Sequence, residues 1–268
     1  MNNAELSELY EAVARSKKYA RLCDGLIRRI CSEEYARHGR QFERVKAVKT
    51  RLHAIYGAFL KDGDVKKMAA LFEGYEKNIT FTSSLLKLHA STAERLGSMD
   101  AFFSFIFAHT RGDAILDLGC GLNPFAVLFM PAAPSVYHAV DIDKRTAFYI
   151  NKYFKLLNLP DGCECICADI LADAPFPFKH PVHTYSTAFL FKLLPVLEYQ
   201  KPGGGLELLK QINAETIVVT YPLKSLGGKE KGMGVNYADA FEKLVSSDFN
   251  IVAQARIGNE LVYIIQRL

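Results

Sequence analysis

The chain has 268 residues, of which 50% are hydrophobic and 23% are charged, and its formal net charge at pH 7 is +4. This length allows one large domain or a catalytic domain with a smaller addition. No segment approaches the roughly 20 consecutive apolar residues that cross a bilayer, and residues 1–5 lack the basic-then-apolar layout of a secretory signal. The six cysteines follow no disulfide-scaffold spacing, which is typical of a reducing compartment. We therefore expect a cytoplasmic protein without a membrane anchor.

The positive charge is concentrated in the N-terminal third. Residues 1–80 contain 16 Lys and Arg against 11 Asp and Glu, whereas the remaining residues contain 17 against 18. Clustered basic side chains are attracted to the phosphates of nucleic acids. A solvated helical surface would carry similar charges, so charge alone leaves both interpretations open.

The first third of the chain has the hydrophobic periodicity of helices. Apolar residues recur at helical spacing among arginines in the segment 22–30, and this pattern is typical of a helix with one buried face. Further helical stretches are predicted over 42–59, 65–75 and 84–108. We therefore predict an N-terminal all-helical extension over residues 1–108.

The rest of the chain, residues 109–268, alternates between predicted strands and helices. Such alternation predicts an α/β domain with a mainly parallel sheet covered on both faces. The short turn 257–259 joins the last two strands into a hairpin. A Rossmann-like, seven-stranded, mostly parallel sheet that ends in an antiparallel hairpin is typical of the class I methyltransferase fold. The predicted strands are 114–118, 136–141, 163–170, 185–191, 216–220, 251–256 and 261–266, with a helix over 145–157.

The first predicted strand ends in a glycine-rich turn that is typical of a nucleotide-type cofactor site. Gly119 and Gly121 allow a tight turn and a close approach of the backbone to a ligand. Asp117 precedes the first glycine by two positions, and Asp141 ends the next strand, where it can accept hydrogen bonds from ribose hydroxyls. The third glycine of a dinucleotide-binding motif is replaced by Pro124. The pattern favours S-adenosylmethionine over a nicotinamide dinucleotide.

The third predicted strand adds another acidic candidate. Asp169 is near the end of this strand, at the position that usually accepts a hydrogen bond from the adenine amino group, and Asp143 is a second candidate for the ribose. Cys163, Cys165 and Cys167 alternate along this strand and therefore share one face. Without a partnering Cys or His cluster, we interpret them as small packing residues and predict no metal site.

Motifs along nearly the whole chain match one family in order. On them, the chain resembles the Arm/Rmt family of aminoglycoside-resistance 16S rRNA (guanine(1405)-N7)-methyltransferases. The most distinctive motif is the segment 88–95, and the segment 221–224 departs from a Phe-Pro-Thr-Arg form found in other members. The matching segments are 16–19, 28–30, 51–53, 57–58, 88–95, 121–124, 191–195, 221–228, 231–233, 236–237 and 258–261.

The resemblance implies methylation of N7 of guanine 1405 in the decoding site of the assembled 30S subunit, with S-adenosyl-L-homocysteine as the second product and aminoglycoside resistance as the consequence. It also implies that the helical extension docks on the 30S particle, which agrees with the charge distribution. N7 carries a lone pair and no proton, so no general base is needed. Catalysis then depends on orientation and on flipping the base into a pocket.

The resemblance also assigns roles to individual residues. Lys192, after the fourth strand, is the catalytic candidate because a cation pairs with guanine O6 or a phosphate. Arg95 is expected to hold the carboxylate of the methionine moiety, although an ion pair with Glu94 or Asp100 is the alternative. The predicted cofactor-binding residues are Arg95, Asp117, Gly119, Gly121, Asn123, Pro124, Asp141, Asp143, Asp169, Ile170 and Phe191.

Basic residues in two regions are predicted to contact RNA. One group lies in or beside a glycine-rich segment after the fifth strand, where a basic loop suits phosphate contact. The other lies in the N-terminal extension. The two groups are Lys224, Lys229 and Lys231, and Arg15, Lys17, Lys18, Arg28 and Arg29.

Three alternatives remain open at this stage. A methyltransferase of the same fold that acts on a small molecule or another RNA site would share the cofactor motifs, but would not require the extension or the basic loop. A catalytically silent RNA-binding protein would not require the intact acidic and glycine positions. A nicotinamide-dependent oxidoreductase would require the missing third glycine. Nothing in the sequence requires more than a monomer.

Overall fold

A seven-stranded sheet forms the centre of the molecule in the computed structural model, which describes residues 3–56, 62–74, 78–172, 175–223 and 233–268. The strand order is β3-β2-β1-β4-β5-β7-β6. The strands are β1 (Ala114–Leu118), β2 (Val136–Asp141), β3 (Cys163–Cys167), β4 (Tyr185–Phe191), β5 (Ala214–Pro222), β6 (Phe249–Ile257) and β7 (Glu260–Arg267).

The first five strands pair in parallel, and β7 runs antiparallel between β5 and β6. Every residue of β4 is buried, as expected for a parallel strand covered on both faces. The predicted class I methyltransferase sheet with its C-terminal hairpin is therefore confirmed. In such a sheet the carboxyl ends of the parallel strands meet at one edge, where ligands bind.

Several strand boundaries differ from those predicted. The third strand ends at Cys167 and not at Ile170, because the chain turns at Asp169. The Asp169 carbonyl accepts a hydrogen bond from the Ala172 N–H at 3.0 Å, and the Asp169 carboxylate accepts one from the Leu171 N–H at 3.2 Å. The fifth strand and both hairpin strands extend beyond their predicted ends, since pairing continues along their flanks.

Helices cover both faces of the sheet, and seven of those that the structure describes come before the first strand in the sequence. The segment 84–108, predicted as one helical stretch, is divided between three helices. The hydroxyl of Thr92 donates to the carbonyl of Leu86 at 2.6 Å. This bond gives the last carbonyl of the first helix a hydrogen-bond partner at the point where the chain turns. The helices are α1 (Asn3–Ala14), α2 (Asp24–Arg37), α3 (Gln41–Tyr56), α4 (Asp62–Glu73), α5 (Ile79–Leu86), α6 (Ala90–Arg95), α7 (Met99–His109), α8 (Lys144–Leu156), α9 (Leu194–Gln200), α10 (Gly204–Gln211) and α11 (Met233–Val245).

The hydrophobic clusters divide the N-terminal region between α3 and α4. Helices α1–α3 have a core of their own that includes Leu26 and Leu52, whereas α4, α5, α7 and α8 pack on one face of the sheet. Helices α9–α11 cover the other face. The predicted division between residues 108 and 109 stays a prediction. Among the described residues, no helix combines the length and apolar character needed to cross a membrane.

Candidate active site

The loop after β1 has the backbone geometry that only glycine adopts easily. Gly119 and Gly121 have φ values of +62° and +51°, in the left-handed region. A Cβ atom at Gly119 would lie 2.6 Å from a methyl group of Leu193, and one at Gly121 would lie 3.1 Å from the ring of His89. Neither position therefore has room for a side chain. The backbone N–H groups of the loop point to the end of β2. The Gly121 N–H donates to the Asp141 carboxylate at 2.9 Å.

Asp141 lies at the end of β2, as predicted for a ribose acceptor. Its carboxylate accepts hydrogen bonds from the backbone of Gly121 and, at 2.9 Å, of Asp143. Burial raises the pKa of Asp141 to about 6. The Asp143 carboxylate instead accepts from the Arg145 N–H at 2.8 Å, which begins α8, and lies 3.7 Å from Arg21. These contacts use Asp143 for helix capping and for an ion pair, so its ribose role stays a prediction.

Asp117 lies in a buried polar network behind the glycine loop. One oxygen of its carboxylate accepts hydrogen bonds from the Tyr137 hydroxyl at 2.7 Å and from the Asn123 amide at 2.8 Å. Burial raises the pKa of Asp117 to about 7, because a charged carboxylate is costly where water is excluded. Its other oxygen has no hydrogen-bond partner within the described part of the chain. Pro124 is buried in the short helical turn that follows Asn123.

Arg95 joins this network to the C-terminal hairpin. Its guanidinium forms two hydrogen bonds, of 2.8 and 3.0 Å, with Glu260, and a third of 3.0 Å with Asn123. It also packs between the rings of Phe102 and Phe191, at 4.3 and 4.6 Å from their centroids. Both side chains of the Arg95–Glu260 pair are at most 2% exposed. Neither Glu94 nor Asp100 is its partner in these contacts, and the predicted contact with the methionine carboxylate stays a prediction.

Glu260 is the member of this network that the sequence analysis did not single out. Burial would raise its pKa, but the charges of Arg95 and Lys192 hold the pKa of Glu260 below its usual value. The available signal was an acidic residue followed by five apolar residues at the start of the strand, because an unpaired charge is rarely buried. Its partner was not readable, since Arg95 lies 165 positions earlier.

Lys192 lies directly after β4, at the mouth of the cleft. Its φ of +56° is in the left-handed region, which is unusual for a residue with a side chain. The backbone N–H of Lys192 donates to Thr220 at 3.0 and 3.1 Å, and these bonds hold the conformation. Its ammonium donates to Glu94 at 2.8 Å and lies 3.4 Å from Glu260. Backbone strain of this kind is often found at functional positions.

His89, next to the glycine loop, is not suited to acid–base chemistry. Burial, followed by the positive charges of Lys192 and Arg95, lowers the pKa of His89 to about 4. The imidazole is therefore neutral near pH 7. No group of three or more His, Cys, Asp or Glu side chains in the described segments is arranged to hold a metal ion.

The far end of the cleft is formed by two parts of the chain that are distant in sequence. Asp169 is 3% exposed and receives the guanidinium of Arg29, with hydrogen bonds of 2.6 and 3.3 Å. The Arg29 side chain is 15% exposed and pairs with Asp169, and its predicted contact with RNA stays a prediction. Ile170 is buried and lines the cleft beside Asp169.

The remaining basic candidates of the extension lie on the surface. Arg15 pairs with Glu11, Lys18 lies 3.1 Å from the ring of His53, and Arg28 packs over the ring of Tyr10 at 4.1 Å. Lys17 is also exposed. These four residues are placed where they can reach a large partner. The second group predicted to contact RNA, which consists of Lys224, Lys229 and Lys231, lies outside the described residues.

One cleft brings most of the predicted cofactor residues together. It follows the carboxyl edge of β1, β2 and β4 and contains both loop glycines, Asn123, Asp141, Asp143, Asp169, Ile170, Phe191, Arg95 and Lys192. Asp117 and Pro124 lie behind this surface and support it. A long cleft with acidic groups at separate points and an apolar wall suits an elongated ligand that carries a ribose.

Comparison with known proteins identifies the family. The family model described as ribosomal RNA methyltransferase (FmrO) matches residues 15–264. A 16S rRNA (guanine(1405)-N(7))-methyltransferase of Serratia marcescens is 35% identical over 262 residues, which is 98% of each chain. A protein of the same name from Micromonospora rosea is 33% identical over 98% of this chain and 97% of its own.

Solved structures agree with this assignment. The 16S rRNA methyltransferase RmtF, in complex with S-adenosyl-L-homocysteine, superposes with a TM-score of 0.86 and 31% identity over the whole of both chains. The 16S rRNA methylase RmtB superposes with a TM-score of 0.83 and 31% identity over 98% of each chain. The resemblance noted in the sequence is therefore confirmed: the chain belongs to the ribosomal RNA methyltransferase (FmrO) family.

Proposed function

We propose that this protein transfers a methyl group from S-adenosylmethionine to N7 of guanine 1405 of 16S rRNA. The observation that carries the proposal is the cleft itself. It places Asp141, Asp169 and two glycines with left-handed backbone conformation along one edge of the sheet. The chain aligns over its full length with a structure that contains S-adenosyl-L-homocysteine. Its curated relatives are named for this reaction.

The residues of the cleft suit a methyl transfer that needs no proton acceptor. When bound, S-adenosylmethionine supplies a methyl group on a sulfonium, and guanine N7 has a lone pair and no proton to lose. Asp141 would hold the ribose, and Asp169 the adenine. The neutral His89 agrees with catalysis by orientation, and the two carboxylates beside Lys192, those of Glu94 and Glu260, are paired with its ammonium. Lys192 would bind guanine O6, since an ammonium pairs with that edge of the base.

The partner that we propose is the assembled 30S subunit. The exposed Arg15, Lys17, Lys18 and Arg28 would contact phosphates and orient the extension on the particle. In this proposal residues 1–108 dock and residues 109–268 carry the reaction. A methyl group and a positive charge on the decoding-site guanine would interfere with aminoglycoside binding and confer resistance.

The proposal is tested by methyl transfer from labelled S-adenosylmethionine to purified 30S subunits, followed by mapping of the modified base. Naked 16S rRNA and 50S subunits serve as comparison substrates. We expect label only in 30S subunits and only at N7 of guanine 1405. Label at another nucleotide, or equal label in naked rRNA, would contradict the proposed target.

Lys192→Met tests the catalytic residue in the same assay. We expect transfer to fall about a hundredfold, because the base loses the cation that orients it, while S-adenosyl-L-homocysteine affinity in calorimetry changes less than about threefold. Lys210→Met is the matched control, since Lys210 pairs with Asp248 on the surface away from the cleft. Undiminished transfer by Lys192→Met would remove this lysine from the mechanism.

A further inference from the structure

The N-terminal helices are bonded to the loops that follow β2 and β3. The Cys23 N–H donates to the carbonyl of Ile142 at 2.8 Å, and the Lys144 N–H donates to the carbonyl of Arg21 at 2.8 Å. Leu22 forms an isolated antiparallel bridge with Asp143. These backbone contacts place the start of α2 against the loop that carries the ribose acceptor.

Arg29, further along α2, reaches the loop after β3. Its Nε and one terminal nitrogen donate to the two oxygens of Asp169 at 2.6 and 3.3 Å, and the same terminal nitrogen donates to Gln200 of α9 at 2.7 Å. The Asp169 side chain is 5% exposed. A guanidinium that contacts both oxygens fixes the plane of the carboxylate, and Gln200 and Glu33, which accept hydrogen bonds from the guanidinium at 2.7 and 3.2 Å, hold it in place.

The same helices supply an apolar wall to the cleft. Leu26 from α2 and Ile55 and Tyr56 from α3 line it, together with Ile170. All four side chains are nearly or fully buried. Apolar side chains of this kind suit a purine ring, and Asp169, which lines the same cleft, can accept a hydrogen bond from a polar group on that ring.

We propose that Arg29 is a positioning residue for adenine recognition, which makes α2 and α3 part of the cofactor site. This inference rests on the proposed function. Arg29 fixes Asp169 so that its carboxylate accepts a hydrogen bond from the exocyclic amino group of adenine. Oδ1 of Asp169 accepts hydrogen bonds from Arg29 and from the Leu171 N–H, and Oδ2 accepts the 2.6 Å bond from Arg29. Each carboxylate oxygen can accept more than one hydrogen bond, and Oδ2 is the acceptor that we assign to the ligand. Arg29 therefore controls which base the cleft prefers.

The test measures base discrimination in the full-length protein. Calorimetry gives the dissociation constants of S-adenosyl-L-homocysteine and of its inosine analogue, in which a carbonyl oxygen replaces the adenine amino group, for the wild type and for Arg29→Gln. We expect Arg29→Gln to weaken S-adenosyl-L-homocysteine binding about tenfold, which is the worth of one well-placed hydrogen bond to a charged group. Binding of the inosine analogue should weaken less than binding of S-adenosyl-L-homocysteine, so the ratio of the two dissociation constants, which measures the preference for adenine, falls.

Arg37→Gln is the matched control, because Arg37 is also on α2 and pairs with a buried acid, Glu34, at 2.9 Å. It should leave both dissociation constants unchanged. In an Asp169→Asn background, Arg29→Gln should have little further effect, because the two residues act through one contact. Melting temperatures without ligand establish that each variant is folded.

Two results would overturn the inference. Wild-type affinity in Arg29→Gln would show that Arg29 does not act on the ligand, and an equal loss for both ligands would show a general structural role. Failure of the wild type to bind S-adenosyl-L-homocysteine would instead contradict the proposed function, so the two failures are distinguishable.

Discussion

The two ends of the cleft are built in different ways. At one end, Arg95, Asn123, Asp117, Tyr137 and Glu260 form a deep network in which every member is at most 2% exposed. At the other end, Arg29 and Asp169 form an ion pair between the N-terminal helices and the sheet, and Arg29 keeps partial contact with water. The deep network is part of the sheet core, whereas the ion pair lies at the interface between the helices α1–α3 and the sheet. We therefore expect damage to the first to affect folding and damage to the second to affect ligand binding.

The largest effect is expected from breaking the deep network. Glu260→Gln leaves Arg95 as a buried charge without its carboxylate partner, and such losses cost about 3–5 kcal/mol. Urea unfolding of the unliganded protein should show this decrease in the free energy of unfolding. Glu215→Gln is the control, because its contact with Arg111 is half exposed and exposed pairs contribute at most about 1 kcal/mol. A loss below that value for Glu260→Gln would show that the network is not structural.

The protonation of Asp117 gives the next effect. Burial raises the pKa of Asp117 to about 7, so the folded protein holds this proton more tightly than the unfolded chain. Stability should therefore fall as pH rises from about 4 to about 7, by up to about 1.4 kcal/mol per pH unit for one proton.

Asp117→Asn isolates this contribution. The variant should gain stability relative to the wild type as pH rises from 5 to 7, and the difference should become constant above about pH 8. Unfolding curves at several pH values measure it. A difference that does not depend on pH would show that Asp117 titrates normally. Asp141, with a pKa of about 6, titrates in both proteins, and its charge contributes to the raised pKa of Asp117.

The smallest effect on folding and on the cofactor is expected at the surface of the extension. Lys17→Gln and Arg28→Gln should change the free energy of unfolding by less than about 0.5 kcal/mol and leave S-adenosyl-L-homocysteine affinity unchanged. Binding to 30S subunits should weaken, and its salt dependence should decrease by about one counterion for each lost phosphate contact. Lys155→Gln, on the exposed side of α8, is the control. An unchanged salt dependence would exclude these residues from the RNA interface.

The sequence predicted the sheet better than it predicted the contacts within the site. The bounds of β1, β2 and β4 were correct because each is an apolar run that ends at a polar or glycine residue, and the loop glycines have the expected backbone. The pairs Arg95–Glu260 and Arg29–Asp169 were not predicted. Periodicity shows which face of an element is buried, but it does not show which distant element covers that face. The predicted third strand was too long because a local turn at Asp169 outweighs the strand preference of its neighbours.

The apolar wall of α2 and α3 has a consequence for inhibitor selectivity. The glycine loop and the acidic strand ends belong to the seven-stranded sheet, which methyltransferases of many specificities share. Leu26, Ile55 and Tyr56 come from helices outside that sheet. A cofactor-competitive compound that contacts these three side chains would therefore draw part of its affinity from residues that a methyltransferase without these helices does not have.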